Sequence, residues 1–352
     1  MSSSHNMKSN YQPWSVHIND FQKQPTEIDR MKFLLTFAVL APSSHNSQPW
    51  RFEIKENEIN IFLEPARRLI ESDKNDRQAY ISLGCAITNI VTAADYYGLS
   101  CNVAHCPDKN DNYLAARITI PTKSQKAVPS ETDHFIFSIP KRVTNRNQYA
   151  NKLPPETFLS EIKSLNTSDL SIYIIIEQQK KNQLADVALL ASIDAMEDGN
   201  FRRELSQYVK SNTTLSPIGM PGFGIGLPTP VSFIAPIMIK YLNMNKLNHK
   251  KDEALLKKHT PAFVIIATSE DNRPNWIETG ELYERIALLA TREGLSTAMW
   301  AAPIQISEHF KELQKILQTE FRPQALFRLG YPVKPTLHSP RLMIDKVLIG
   351  DP

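Results

Sequence analysis

The chain has 352 residues, of which 41% are hydrophobic, so it can bury a substantial core as two domains or as one large duplicated unit. Its 40 Lys and Arg residues and 37 Asp and Glu residues leave a net charge of +3, without a basic stripe for nucleic acid or for a membrane surface. The cysteines Cys85, Cys101 and Cys106 are odd in number and lack C-x-x-C spacing, which is typical of the reducing cytoplasm. The composition therefore excludes nucleic-acid-binding and membrane-anchored classes and predicts a cytoplasmic protein.

The first elements lead from a polar arm to a core helix. Residues 1–25 are polar with little periodicity, which predicts a flexible N-terminal arm. A first core helix is expected from Ile28 to Ala41, where Pro42 stops it because proline lacks an N–H and its ring clashes with the preceding turn. A half-buried strand is expected from Trp50 to Ile54, the first arm of a β-hairpin.

The stretch Ala41 to Phe52, APSSHNSQPWRF, places six hydrogen-bonding side chains in one short loop between that helix and that strand. Two interpretations remain open at this point. The Ser and Asn side chains could simply bond the local backbone in a tight turn. Alternatively, the loop presents amides and hydroxyls to a flat polar ligand, as functional loops on a rigid scaffold do.

Two long apolar helices recur in the same context. The first is expected from Asp76 to Tyr97 and the second from Glu278 to Arg292, each with apolar residues at helical spacing. Each is followed by Gly-Leu-Ser, at Gly98 and at Gly294, where glycine can end a helix in the left-handed conformation. This repetition favours an ancient duplication, with half-domains at residues 26–138 and 139–352.

The second half alternates helices and strands. Expected helices cover 156–165, 183–196 and 201–208, and expected strands cover 170–177, 263–268 and 324–330. Between them, Ser211 to Ile239 carries no charge and is rich in Pro and Gly, so residues 211–240 form either a lid over a pocket or an irregular packing loop. The proline-rich end of the chain predicts an extended arm that wraps back over the body.

The loop PSSHNSQPW resembles the PSxxNxQPW signature of the nitroreductase superfamily of FMN flavoproteins, and the whole chain is similar to its duplicated Acg-type branch. Arg142, Thr144 and Arg146 match the R-x-[ST]-x-[RK] spacing of that family, and Arg341 stands where it carries a second phosphate-binding arginine. The resemblance implies an α+β fold in which two half-domains form a pseudo-dimer, with mixed, mainly antiparallel sheets flanked by helices.

The resemblance also implies FMN as cofactor, held at one composite site between the halves. The first half would supply the loop and the second half the arginine segments. After the strand Thr297 to Pro303, the family's usual Glu-Gly is replaced by Ala301-Ala302, so the glutamate is absent. The implied cofactor-binding residues are Pro42, Ser43, Ser44, Asn46, Gln48, Arg142, Thr144, Arg146, Ala301, Ala302 and Arg341.

By the same resemblance, the chain is an oxidoreductase that passes electrons from NAD(P)H to a nitroaromatic, a quinone or another small acceptor. The alternative is a protein that stores or sequesters FMN with little or no turnover, which the missing glutamate and the uncharged segment favour. The sequence identifies no catalytic residue and no metal-ligand spacing, because its nine histidines are scattered. The chain is expected to be a monomer as a pseudo-dimer, or a weak homodimer.

Overall fold

The computed structural model describes residues 9–121 and 135–350. The α-helices are α1 (Glu27–Ala38), α2 (Arg77–Tyr96), α3 (Glu156–Lys163), α4 (Gln178–Glu197), α5 (Gly199–Tyr208), α6 (Thr229–Tyr241), α7 (Met244–Lys258), α8 (Arg273–Arg292), α9 (Ala302–Gln305) and α10 (His309–Leu317). The strands are β1 (Trp50–Lys55), β2 (Glu58–Leu63), β3 (Asn102–His105), β4 (Leu114–Thr119), β5 (Leu170–Ile175), β6 (Val209–Lys210), β7 (Met220–Pro221), β8 (Ala262–Thr268), β9 (Ser296–Met299) and β10 (Arg322–Gly330).

Two four-stranded antiparallel sheets share one topology. The first has the strand order β1-β2-β4-β3 and the second β5-β8-β10-β9. In each sheet, a long helix connects the second strand to an edge strand. Helix α2 connects β2 to β3, and helix α8 connects β8 to β9. All pairings within these two sheets are antiparallel. The fold class is therefore α+β, as the resemblance implied.

Helices α2 and α8 pack against each other at a glycine-to-glycine crossing. A Cβ atom on Gly84 would lie 2.0 Å from the carbonyl oxygen of Ile277, and one on Gly280 would lie 1.9 Å from that of Ile81. Only residues without a side chain allow two helix backbones this close. The side chains of Cys85 and Thr88 add bonds across the crossing, from Sγ to Gly280 O (3.3 Å) and from Oγ1 to Glu281 O (3.0 Å). The crossing joins the two sheet-bearing halves along a buried seam.

Several element boundaries differ from the sequence expectation. Helix α8 begins at Arg273, because Asn272 caps it by accepting a bond from the Asn275 N–H at 3.1 Å, and Pro274 fits its first turn. The expected strand Thr297 to Pro303 was too long, since β9 ends at Met299 and α9 begins at Ala302. The first helix ends at Ala38, three residues before the expected end.

The terminal segments pack on the body. Residues 1–8 of the predicted arm lie outside the described residues, but from Ser9 the arm forms two 3₁₀ helices and buries Asn10 and Phe21 rather than fraying. At the other end, the C-terminal arm forms backbone hydrogen bonds with Phe52 on β1. The Phe52 N–H donates to Val347 O (2.8 Å), and Phe52 O accepts from the Ile349 N–H (2.7 Å). The arm thus covers an exposed sheet edge of the first half.

The uncharged segment is more regular than its Pro and Gly content predicted. Helix α6 occupies Thr229–Tyr241, and its first turn accommodates Pro230, whose missing N–H is not needed there. The two-residue strands β6 and β7 pair in parallel just before it. Among the described helices, none combines the length and apolar character that crossing a bilayer requires.

Candidate functional site

A cavity of about 330 Å³ opens along the seam beside the signature loop, near the lower end of volumes typical for small-molecule sites. A second space of about 40 Å³ continues from it and shares Pro42, Ser43, Thr144, Arg146 and Met220 with it. We call the larger the ring cavity and the smaller the cationic pocket. Both lie between residues of the first half and residues of the second.

The signature loop has an unusual backbone. His45, Asn46 and Gln48 have φ values of 51°, 53° and 53°, in the left-handed region that non-glycine residues rarely adopt. Each such residue costs on the order of 1–3 kcal/mol, and such strain concentrates at ligand sites. The ring of His45 faces the ring cavity, and burial lowers its pKa to about 4, so the imidazole is neutral at pH 7.

Two loop residues, Asn46 and Gln48, hold distant segments together. Asn46 Nδ2 donates to Gly219 O and to Pro340 O, both at 3.0 Å, and Asn46 Oδ1 accepts from Arg341 Nη1 at 2.9 Å. Gln48 Nε2 donates to Pro217 O (2.6 Å), and Gln48 Oε1 accepts from Leu342 N–H (2.8 Å). Gln48 is fully buried and lines neither the ring cavity nor the cationic pocket. In this structure its bonds position the loop instead.

Three buried charges meet at the cationic pocket. Arg142 Nε lies 3.1 Å from Glu284 Oε1, and Arg142 Nη2 donates to Leu40 O (3.3 Å). Arg341 Nη2 donates to the same carbonyl at 3.2 Å. Burial and the charge of Arg142 lower the pKa of Arg341 to about 9, and burial raises that of Glu284 to about 7. Of the two buried guanidiniums, only that of Arg142 contacts this reluctantly ionised carboxyl group, and Arg341 feels its charge from farther away.

Several donors around this pocket have no hydrogen-bond acceptor among the described residues. They include Arg142 Nη1 and Arg341 Nε, both buried. The neutral ring of His338, with its pKa lowered to about 4 by burial and the two arginines, stacks on Trp14 at 3.9 Å. Unpaired buried donors are costly, and these two belong to arginines that line a space that an anion could fill.

The segment that carries Arg142, Thr144 and Arg146 is held by the edge of the second sheet. Thr144 pairs with Thr297 of β9 in a parallel bridge, and Asn145 N–H donates to Thr297 O at 3.2 Å. Arg146 reaches Gly224 O through Nη1 (3.3 Å) and remains exposed. The sheet edge therefore sets where the cations stand relative to the loop of the other half.

The structure brings ten of the eleven sequence-predicted residues to the two connected spaces. Asn46 and Arg142, one from each half, line the cationic pocket together. Those lining the ring cavity are Pro42, Ser43, Ser44, Thr144, Arg146, Ala301 and Ala302. Those lining the cationic pocket are Pro42, Ser43, Asn46, Arg142, Thr144, Arg146 and Arg341. Gln48 is the exception.

Sequence reasoning missed three polar residues here. Glu284 and Tyr283 come from α8, and Tyr283 lines the ring cavity with its hydroxyl 3.1 Å from Thr297 Oγ1. Arg328, from β10, lines the same cavity, is fully buried and lies over the Tyr149 ring at 4.6 Å. Two of them could have been found from the sequence, because a charged residue within an apolar pattern is unusual. Glu284 lies on the buried face of α8, and Arg328 lies within an apolar strand.

No protein-family model matches the chain. It is 25% identical over 331 residues to a Mycobacterium tuberculosis protein named "Putative NAD(P)H nitroreductase Rv3131", covering 92% of both chains. It is 24% identical over 330 residues to "Putative NAD(P)H nitroreductase acg" from that organism, covering 91% of this chain and 95% of that one. The chain is similar to nitroreductases along nearly its whole length.

Solved structures resemble this nitroreductase-like chain more distantly. The FMN-dependent nitroreductase NfnB from Mycobacterium smegmatis, in complex with NADPH, is 13% identical with a TM-score of 0.41, covering 61% of this chain and 96% of that one. Likenesses of this size do not by themselves establish a shared fold, and the α+β assignment follows from the two sheets described above.

The two connected spaces are chemically distinct. The cationic pocket offers guanidinium donors to an anion, and arginine forks match phosphate oxygens well. The ring cavity offers a flat space beside backbone and hydroxyl groups of the signature loop. Among the described residues, no group of three His, Cys, Asp or Glu side chains is placed to hold a metal ion.

Proposed function

We propose that the chain is an FMN-dependent oxidoreductase that transfers electrons from NAD(P)H to a nitroaromatic, a quinone-type or another small acceptor, at one composite site between its halves. The main support is the cationic pocket, where two buried guanidiniums, Arg142 and Arg341, have only one buried carboxyl group, Glu284, in contact with Arg142, and each keeps an unpaired donor. A phosphate dianion would pair these donors and balance the second guanidinium. The relatives named as nitroreductases agree with this assignment.

The residues present fit FMN at both ends of the site. Arg142, Arg146 and Arg341 would hold the phosphate, and Ser43 at the junction would contact the linking chain. Ser44 and the backbone at Ala301 and Ala302 would lie along the isoalloxazine ring in the ring cavity. When bound, FMN supplies the electron-transfer chemistry, while the protein binds, orients and shields it.

This chain's own groups would tune the ring environment. Neutral His45 and the Tyr283 hydroxyl face the ring cavity, and Arg328 adds a buried positive charge near it. Fixed donors and a nearby cation stabilise negative charge wherever it develops in a water-poor site. Met220 and Ile225 contribute apolar side chains to the cavity lining and would help to exclude water from the bound ring.

We infer that the two halves arose by duplication. The first and last residues of α2 and α8 are both 196 residues apart, and so are the crossing glycines Gly84 and Gly280. The shared strand order of the two sheets supports the same inference. One composite site then replaces the two sites that a symmetric pair of halves could form.

We also infer that residues 211–240 form a lid over the ring cavity. Their first part is fastened to the signature loop, because Asn46 and Gln48 donate to the carbonyls of Gly219 and Pro217. Their middle part supplies Met220 and Ile225 to the cavity lining. Helix α6 then packs through Ala235 and Ile239 on a small separate core.

The test is flavin binding by matched arginine variants. Replacing Arg142 or Arg341 with alanine should weaken FMN binding by about 2 kcal/mol, or roughly 30-fold in Kd, because each loses a charge-assisted bond to phosphate. The exposed Arg30→Ala on α1 is the control and should bind FMN as the wild type does. Because Arg142→Ala leaves Glu284 unpaired, the pair variant R142M/E284Q separates lost binding from lost folding.

Equilibrium binding of FMN to apoprotein, followed by flavin fluorescence, gives the Kd values. Unchanged affinity in both arginine variants would refute the composite site. Steady-state oxidation of NADPH with menadione and with nitrofurazone tests turnover. Rates no greater than those of free FMN would leave the alternative, a flavin-sequestering protein, which the replacement of the usual Glu-Gly by Ala301-Ala302 favours.

A further inference from the structure

A second cavity, of about 890 Å³, lies on the other side of the α2–α8 crossing from the ring cavity. Its walls come from the outer parts of both helices, from β3 and from the segment 165–170. The sequence analysis did not single out this region, and none of the residues assigned to the ring cavity or the cationic pocket lines it. We call it the opposite cavity.

The opposite cavity occupies the position that corresponds to the ring cavity in the other half. Helices α2 and α8 are 196 residues apart in the chain. At five positions, a residue that lines one cavity lies 196 residues from a residue that lines the other. These pairs are Ser82 with Glu278, Cys85 with Glu281, Tyr283 with Ile87, Met299 with Val103, and Ala301 with His105. The chain therefore retains a cavity at both equivalent places but gives each a different chemistry.

At three of these five pairs, a small neutral side chain in the ring cavity corresponds to a titratable side chain in the opposite cavity. Glu278 and Glu281 stand where the ring cavity has a hydroxyl and a thiol, and both face His105. His105 Nε2 lies 3.0 Å from Glu281 Oε1, and His105 Nδ1 lies 3.8 Å from Glu278 Oε1. Asp95 and Asp169 add two further carboxylates to the lining, whereas Arg285 adds one guanidinium.

The rest of the lining is apolar. Ile87, Val91, Leu282 and Leu288 contribute helix side chains, and Phe135 contributes an aromatic ring. An apolar cleft with a few convergent polar groups is the usual form of a small-molecule site. In this lining, the carboxylates Glu278, Glu281 and Asp169 outnumber the cationic groups His105 and Arg285, which disfavours a phosphate or carboxylate ligand.

We propose that the opposite cavity binds an organic cation, an amine carried on an apolar body. The ammonium would take up one oxygen each of Glu278 and Glu281 beside His105, and the body would lie against the helix side chains. Such a ligand buries apolar surface and places its charge among carboxylates, so both parts of the lining are used. The proposal does not depend on what occupies the ring cavity.

The test compares three probes of one shape and different charge by isothermal titration calorimetry. 1-Naphthylmethylamine is cationic, 1-naphthylmethanol is neutral and 1-naphthoate is anionic at pH 7. We expect one amine per chain, the alcohol at least 10-fold weaker, and no detectable naphthoate. Equal binding of all three probes would overturn the proposal by showing a cleft without charge selectivity.

A charge-neutral variant locates the site. E278Q/E281Q keeps the side-chain shape and should weaken the amine at least 10-fold while leaving the alcohol unchanged. The exposed E312Q on α10 is the matched control and should bind the amine as the wild type does. Amine binding unchanged in E278Q/E281Q would overturn the proposal. If that variant does not fold, the contrast between amine and alcohol in the wild-type protein still decides.

Discussion

The close crossing of α2 and α8 gives a demanding test of the architecture. In Gly280→Ala the new Cβ would lie 1.9 Å from Ile81 O and 2.7 Å from Ile81 C, so it meets backbone that cannot rotate away. The two helices must separate by more than an ångström to restore contact distance. Overpacking of this kind costs about 3 kcal/mol, and the better helix propensity of alanine offsets about 1 kcal/mol of it.

The net loss of about 2 kcal/mol should appear as a melting temperature lowered by roughly 3 °C, because a chain of 352 residues has an unfolding entropy of about 0.7 kcal/mol/K. Circular dichroism during thermal unfolding, and urea titration of the same samples, give the two measurements. Gly199→Ala is the matched control, because its Cβ would meet only the end of the Arg202 side chain at 3.7 Å. That variant should unfold at the wild-type temperature or slightly above it.

The other glycine at the crossing, Gly84, allows a test with a double variant. A Cβ on Gly84 would lie 2.0 Å from Ile277 O at the same crossing. Once one alanine has pushed the helices apart, the second meets less resistance. The double variant should therefore lose clearly less stability than the sum of the single variants. A Gly280→Ala protein that unfolds at the wild-type temperature, or strict additivity in the double variant, would refute the close crossing.

Three further outcomes are expected from buried polar groups. Asn46→Ala removes hydrogen bonds to Gly219, Pro340 and Arg341, and urea titrations should show a free energy of unfolding lowered by about 2–3 kcal/mol. A loss below about 0.5 kcal/mol would contradict the role of Asn46 in holding these segments together. Burial raises the pKa of Glu284 from 4.5 to about 7, so its contribution to stability is full below pH 4.5 and is lost as the pH rises through 7. Glu284→Gln should flatten the fall in urea midpoint across that window, and an unchanged slope would contradict the assignment. For His105, burial lowers the pKa, but the neighbouring carboxylates of Glu278 and Glu281 outweigh it and raise the pKa from 6.5 to about 9. The resulting stabilisation is present below pH 6.5 and lost as the pH rises through 9, and titration of the His105 ring by NMR near 6.5 would disprove it.

The sequence was most informative where the pattern was local. The hydrophobic spacing gave both long helices, and the PSSHNSQPW loop and the R-x-T-x-R segment pointed to the residues that the structure brings to one seam. Chain order alone also indicated that the loop and the arginines belong to different halves. Boundaries set by side-chain caps, such as Asn272 before α8, were less accessible because they depend on a few hydrogen bonds.

What the sequence by itself determined is many of the helices and strands, and ten of the residues that the structure brings to the two connected spaces, because periodicity and turn chemistry act within a few residues. Only the tertiary structure decided that Gln48 holds the loop instead of lining the site, that Glu284 lies against Arg142, and that Glu278 and Glu281 face His105 across the seam. These relations join segments far apart in the chain. They depend on how distant segments pack together, which no local pattern encodes.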